Sequence, residues 1–303
     1  MYSVSQWLTI FHLGDTESTE NSAKNIQMKI ALNGATTMKA DLATDLDAAR
    51  AAGFDYLEIW AAKLRAYLQK HSTSDLRKMF DDAGIEPLSI NSIEHVSFRS
   101  DAGFARIKAE CEELCAIAEQ VWCPYVVVVP GKLPEPAPST DEVVNESVRV
   151  LTTLAAIAEQ HQVSLAFEFL GQTDCSVQTL DLAAEIVGQT GRQDIGLVID
   201  SFHFYAGGSS IEMIERLDPE RLLIFHINDA EDRPREQLQD RHRLLPGQGI
   251  LPLNEIIRAF RRIGYDRVAS VEIFRPEYWE WDPYDLARRA YKATESVLTE
   301  REQ

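Results

Sequence analysis

Residues 163–200 read VSLAFEFLGQTDCSVQTLDLAAEIVGQTGRQDIGLVID. Two short apolar runs, 163–168 and 195–200, enclose a stretch near 179–190 with helical periodicity. Both runs are β-rich, too short for a helix, and followed by polar or Gly-containing sequence. That is the composition of parallel strands buried on both faces. Each also ends on a carboxylate, Glu168 and Asp200. The pattern recurs at residues 221–226 (RLLIFH), which end on His226, and at 267–272 (RVASVE), which end on Glu272.

Working outward, the rhythm begins at Met28. Residues 29–33 (KIALN) read as a strand, and 42–52 as a helix closed by Gly53. Residues 55–60 (DYLEIW) form the next strand, followed by helical sequence to Ala83 with Gly84 as its stop. Residues 86–91 (EPLSIN) precede a helix over 105–120. Residues 125–129 (YVVVV) precede a Pro-rich loop over 130–139 and a helix over 141–160. Beyond Asp200 come a short helix near 211–217, a long polar loop from His226 to Gln248, and helices over 253–263 and 284–298. Strands alternating with helices imply a parallel sheet. Eight such units over about 275 residues predict an α/β chain forming a single (β/α)8 TIM barrel, typically about 250 residues long. An open doubly wound sheet is the competing architecture, but no Gly-rich phosphate loop follows the first strand. Residues 28–303 read as one catalytic domain. Residues 1–27, apolar and then acidic without periodicity, read as an N-terminal extension: an arm, a partner-binding strand or a frayed terminus.

The chain has 303 residues, 45% hydrophobic and 26% charged, enough for a large core. A net charge of −18 argues against nucleic acid, whose phosphates are bound by clustered Lys and Arg. No apolar stretch is long enough for a membrane span, and no export signal opens the chain. The four cysteines show no disulfide framework and read as free thiols, which makes the cytoplasm the expected compartment.

Catalytic residues of (β/α)8 barrels lie at the C-terminal ends of the strands. Glu168, Asp200, His226 and Glu272 fall there on four consecutive strands. Three carboxylates and one imidazole suit one divalent cation, with Mn²⁺ favoured and Mg²⁺, Co²⁺ or Zn²⁺ as alternatives. The competing reading of each is a helix cap or a solvated rim charge, but four carboxylate and imidazole groups at one mouth need a counter-charge. His203, in Asp-Ser-Phe-His, either joins the core or donates to a substrate oxygen. Arg243 is either a substrate contact or a charge in a salt-bridged lid with Asp229, Glu231, Asp232 and Asp240. Asn91 and Trp60 end strands and either line the pocket or serve the fold. A cation that chelates a ketone and its neighbouring hydroxyl acidifies the α-proton, which a carboxylate then removes. Glu168 and Glu272 stand at the two ends of the ligand arc and are the candidate proton carriers.

Six segments, 28–37 (MKIALNGATT), 55–59 (DYLEI), 196–204 (GLVIDSFHF), 226–232 (HINDAED), 246–249 (PGQG) and 271–278 (VEIFRPEY), resemble the xylose-isomerase-like superfamily of sugar isomerases and epimerases. Within it they are most similar to the inosose isomerases of inositol catabolism. The resemblance covers residue 28 to about residue 298. It implies a metal held by Glu168, Asp200, His226 and Glu272, with His203 and Arg243 at the substrate. The implied reaction interconverts 2-keto-myo-inositol and 1-keto-D-chiro-inositol through a metal-bound enediolate. The implied partner is a small keto-sugar or keto-cyclitol, with a homo-oligomer left open. A ketose 3-epimerase, another keto-sugar isomerase, or a lyase or dehydratase on this scaffold is the alternative. The endonuclease of the same superfamily needs further histidines, and only seven occur here.

Overall fold

A computed structural model describes residues 28–299; the expectation for residues 1–27 lies outside the described residues. Among the described residues ten strands occur in chain order: β1 Lys29–Asn33, β2 Tyr56–Trp60, β3 Glu86–Ile93, β4 Tyr125–Val128, β5 Ser164–Glu168, β6 Ile195–Asp200, β7 Leu222–Ile227, β8 Asp229–Ala230, β9 Arg243–Leu244 and β10 Val268–Val271. Eight of them close a parallel barrel in the order β1-β10-β7-β6-β5-β4-β3-β2. The predicted single barrel is therefore present, with the strand ends within two residues of expectation. The helices are α1 Leu42–Ala52, α2 Ala61–Leu68, α3 Thr73–Ala83, α4 Asp101–Val121, α5 Thr140–Ala158, α6 Leu180–Gln189, α7 Ser201–Ala206, α8 Ile211–Glu215, α9 Leu253–Ile263 and α10 Pro283–Thr299. None is long and apolar enough to cross a membrane.

Local signals set these boundaries. Asp41 accepts from the Thr44 amide to start α1, and Gly53, at φ +96°, ends it in the left-handed region. Ser72 with Asp75, and Ser139 with Glu142, form reciprocal capping boxes at α3 and α5. Three features differ from the sequence reading. The helical stretch running to Ala83 is two helices, because the Ser72 box starts a new one. The polar loop after His226 contains a small antiparallel ribbon, pairing Asp229 with Leu244 and Ala230 with Arg243. A six-residue helix, α7, directly follows Asp200.

Strand periodicity places the site. Side chains two apart on a strand share a face. Ala31, Ala166, Val198, Ile224 and Val268 belong to one small apolar cluster. Two residues further along their strands stand Asn33, Glu168, Asp200, His226 and Ser270, all buried. The apolar layer is the floor, and the polar layer lies above it at the C-terminal mouth. Intervening residues such as Leu165, Phe167, Leu197 and Ile199 join the larger core with helix residues such as Leu154 and Ile186.

Candidate metal centre

Glu168 ends β5, Asp200 ends β6, His226 is the penultimate residue of β7, and Glu272 follows β10. Asp200 and His226 are paired in register across β6 and β7. One ligand atom from each of the four lies within 4.8 Å of the others, and all four residues are buried. His226 Nδ1 is 2.9 Å from Glu168 Oε1 and 3.4 Å from Glu272 Oε2. Asp200 caps α7 by accepting from the His203 amide at 2.9 Å. Its other oxygen accepts from Asn228 Nδ2 at 2.8 Å and from Arg243 Nη1 at 2.6 Å.

The charges do not balance within the protein. Burial pushes the Asp200 carboxyl up, but the charges of Arg243, His203 and His226 and the His203 amide together hold the group below the usual carboxylate range. Burial opposes charge on His226, yet Glu272, Glu58 and Glu168 together raise it well above the ordinary imidazole value. Glu272 is pushed up to about 8, by burial first and then by repulsion from Glu168 and Asp200, against the pull of His226 and Arg243. Two cationic side chains thus face four buried carboxylates: Glu58, Glu168, Asp200 and Glu272. A divalent cation fits this donor set: it would take the place of the proton on His226 and add positive charge among the carboxylates.

A pocket of about 280 Å³ opens over the cluster. Trp60, Asn91, Glu168, His203, Arg243 and Glu272 all line it, whereas Asp200 and His226 are fully buried. Of the predicted lid partners, Arg243 pairs with Asp240 alone among the described residues, and it is buried rather than part of a solvated lid. Its side chain is 1% exposed because Asp200, Glu272 and Asp240 surround the guanidinium, with Asp240 Oδ1 3.0 Å away. Glu231 pairs instead with Arg233 and Arg275. Arg243 Nη2 approaches His203 Nε2 at 3.0 Å. A guanidinium has no acceptor, so Nε2 must accept and the hydrogen of neutral His203 resides on Nδ1. Burial pushes the His203 imidazole down, keeping it neutral, and Nδ1 is buried without a partner among the described residues. Asn91 Nδ2 donates to Glu272 Oε1 at 3.0 Å.

Residues 46–297 match the family described as xylose isomerase-like TIM barrel. The chain belongs to that family. The inosose isomerase of Bacillus velezensis is 38% identical over 274 residues, 90% of this chain and 98% of that protein. The inosose isomerase of Bacillus subtilis gives the same identity and coverage. A crystal structure of an IOLI protein with a binding zinc atom aligns with a TM-score of 0.87 at 38% identity, covering 90% of this chain and 98% of that one.

In this xylose isomerase-like barrel, three further residues reach the site beside those singled out from the sequence. Glu58, wholly buried in the middle of β2, contacts His226. Burial pushes its carboxyl up, but His226 and the hydroxyls of Ser270 and Ser89 together hold it low. Asn33 at the end of β1 donates to both Glu58 and Glu272. Asn228, just past β7, orients Asp200 and is held by Ser201 Oγ. A charged residue inside an otherwise apolar strand was the available signal for Glu58.

Proposed function

We propose that this chain is a metal-dependent isomerase that interconverts 2-keto-myo-inositol and 1-keto-D-chiro-inositol. The observation that carries it is the convergence of Glu168, Asp200, His226 and Glu272 within 4.8 Å, in a chain 38% identical to inosose isomerases along 90% of its length. Those four residues would hold one divalent cation, which when bound supplies Lewis acidity to a ketone and its neighbouring hydroxyl. Mn²⁺ is our choice, because three of the four donors are carboxylates; zinc, which the IOLI structure binds, is its competitor.

Around that centre the side chains divide the work. Glu168 and Glu272 line the pocket and handle the protons: one takes the proton from the carbon beside the ketone, and the other, protonated, delivers its own to the former ketone carbon. His203 offers its unpartnered Nδ1–H to a substrate oxygen, in the tautomer Arg243 imposes. Asn91 steadies Glu272. Trp60, Val129, Leu170 and Phe274 form the apolar wall that limits water. The pocket lies just below the usual range for drug-sized ligands, about 300–1,000 Å³, and suits a single polyhydroxylated ring. We place the enzyme in the cytoplasm, where its four buried free thiols stay reduced.

Incubation with Mn²⁺ and inosose in D₂O tests the proposal. Deuterium enters the ring carbons and the isomer accumulates at unchanged product connectivity. Absence of exchange overturns the proposal, and turnover of D-fructose or D-tagatose in place of inosose moves the chain to the ketose 3-epimerases. Glu168→Gln and Glu272→Gln each lower turnover by at least about 100-fold while the circular dichroism spectrum is retained.

A further inference from the structure

Strands β1, β2 and β3 supply none of the four candidate ligands, yet their polar residues reach that cluster from behind. Glu58 Oε1 lies 2.9 Å from His226 Nε2, both groups fully buried. The opposite ring nitrogen, Nδ1, is the one beside Glu168 and Glu272. Glu58 is itself fixed: Asn33 Nδ2 donates to Oε1 at 3.3 Å and Ser89 Oγ donates to Oε2 at 2.5 Å. Asn33 Nδ2 also reaches Glu272 Oε1 at 3.1 Å, tying the two carboxylates together.

An imidazole that ligates through one nitrogen carries its hydrogen on the other, and a buried N–H requires an acceptor. The Nε2 contact with Glu58 is at hydrogen-bonding distance, though off the N–H axis, and Nε2 has no other hydrogen-bond partner among the described residues. We infer that Glu58 is a positioning residue that keeps His226 in the Nε2–H tautomer, so that Nδ1 turns its lone pair toward the cation. This rests on the metal reading above. It divides the barrel into a half that ligates and a half that orients the ligands. A carboxylate behind a ligating imidazole also raises its basicity, and loss of such a partner typically costs 10–100-fold in metal affinity.

Zinc binding to the purified full-length protein tests this without reference to turnover. In protein carrying ¹⁵N-labelled imidazoles, one histidine shifts its ring nitrogen when zinc is added. The expected spectrum has zinc on Nδ1 and the proton on Nε2; zinc on Nε2 overturns the inference. Glu58→Gln retains an acceptor for Asn33 and His226 but loses the charge. Its zinc affinity, measured against a chromophoric chelator, falls by at least about 10-fold while the metal-free urea midpoint stays near that of wild type. Unchanged affinity overturns the inference, and if the variant does not fold, the wild-type spectrum decides. Wild-type protein that takes up no zinc overturns the metal reading, whereas normal wild-type uptake with unaltered Glu58→Gln affinity overturns only the role of Glu58.

Discussion

Arg243 Nη1 lies 2.6 Å from Asp200 Oδ2, in a pair with both side chains withdrawn from solvent. The same guanidinium reaches Glu272 Oε2 at 3.1 Å and stacks over the rings of Phe202 and Phe274. A residue of the ribbon strand β9 is thereby the fixed counter-charge of two candidate ligands. The aromatic faces add cation–π attraction to a group whose burial is otherwise costly.

Removing that cation strands two buried carboxylates. Arg243→Ala is expected to lower the metal-free unfolding free energy by about 3 kcal/mol, the cost of breaking a buried pair. Added divalent metal restores part of that loss, so metal raises the melting temperature more in the variant than in wild type. Arg243→Lys keeps a charge but loses the planar fork, and falls between the two. Urea unfolding with and without metal checks this. A metal-free Arg243→Ala protein as stable as wild type rules out the counter-charge role.

The sequence made the barrel legible because its strands are short, mostly apolar runs bounded by turn or polar residues, and four of the runs carry a candidate ligand at the end. Glu168 and Asp200 follow inward-facing Ala166 and Val198 by two residues, so strand periodicity alone brings them to one face. What stayed hidden depends on tertiary contact. A lone charge in YLEIW marks Glu58 as unusual, but its partner is visible only once β7 brings His226 beside it. Ser201–Ala206 has no helical apolar pattern, and its start is fixed by Asp200 accepting from the His203 amide. The polar loop leaves Arg243 open between a lid charge and a substrate contact, and its burial against Asp200 and Glu272 becomes visible only with β9 paired to β8.

Gly249, in the segment Pro246-Gly247-Gln248-Gly249, marks a close backbone approach. A Cβ there would stand 2.0 Å from the Ala230 carbonyl oxygen and 2.5 Å from Asp229 Oδ1. Asp229 Oδ1 also accepts from the amides of Ala230 and Leu251, so it cannot yield freely. Gly249→Ala is expected to cost about 2 kcal/mol as overpacking. Because the displaced ribbon carries Arg243, turnover falls with stability. A thermal melt identical to wild type would show that the loop relaxes at no cost.

His161 supplies a pH dependence far from the pocket. It bridges α4 to the turn after α5, with Nδ1 2.9 Å from Glu119 and Nε2 3.1 Å from Glu112. The hydrogen bond to Glu119 is the main reason its imidazole is raised above 6.5. A histidine raised in the folded state contributes stability that is fully present below its unfolded value and lost as the pH rises through the folded one. His161→Asn should therefore be less stable than wild type by roughly 0.5 kcal/mol at pH 5.5, and equal to it by pH 9. Urea titrations at both pH values measure the difference, and a gap that widens with pH contradicts the bridge.

Lys63 and Asp45 form a second buried pair, 2.6 Å apart, beside the pocket wall. Lys63 Nζ also donates to the carbonyls of Gly34 and Thr37 at 2.8 Å each, while Thr37 Oγ1 donates to Asp45 Oδ1 at 2.7 Å. Burial pushes the Asp45 carboxyl up to about 6 and pulls the Lys63 amine down, each opposed by the other's charge. Lys63→Met strands a carboxylate and two carbonyls, and should cost about 4 kcal/mol. Adding Asp45→Asn removes the stranded charge, so the double variant should be more stable than Lys63→Met alone. The loop they fix abuts Trp60, since a Cβ on Gly34 would come 3.1 Å from Trp60 Cβ. Relaxing it should therefore weaken substrate binding more than it slows proton transfer, raising KM with little change in kcat. Urea midpoints for the two single variants and the double variant decide the coupling, and strict additivity would show that the two charges act independently.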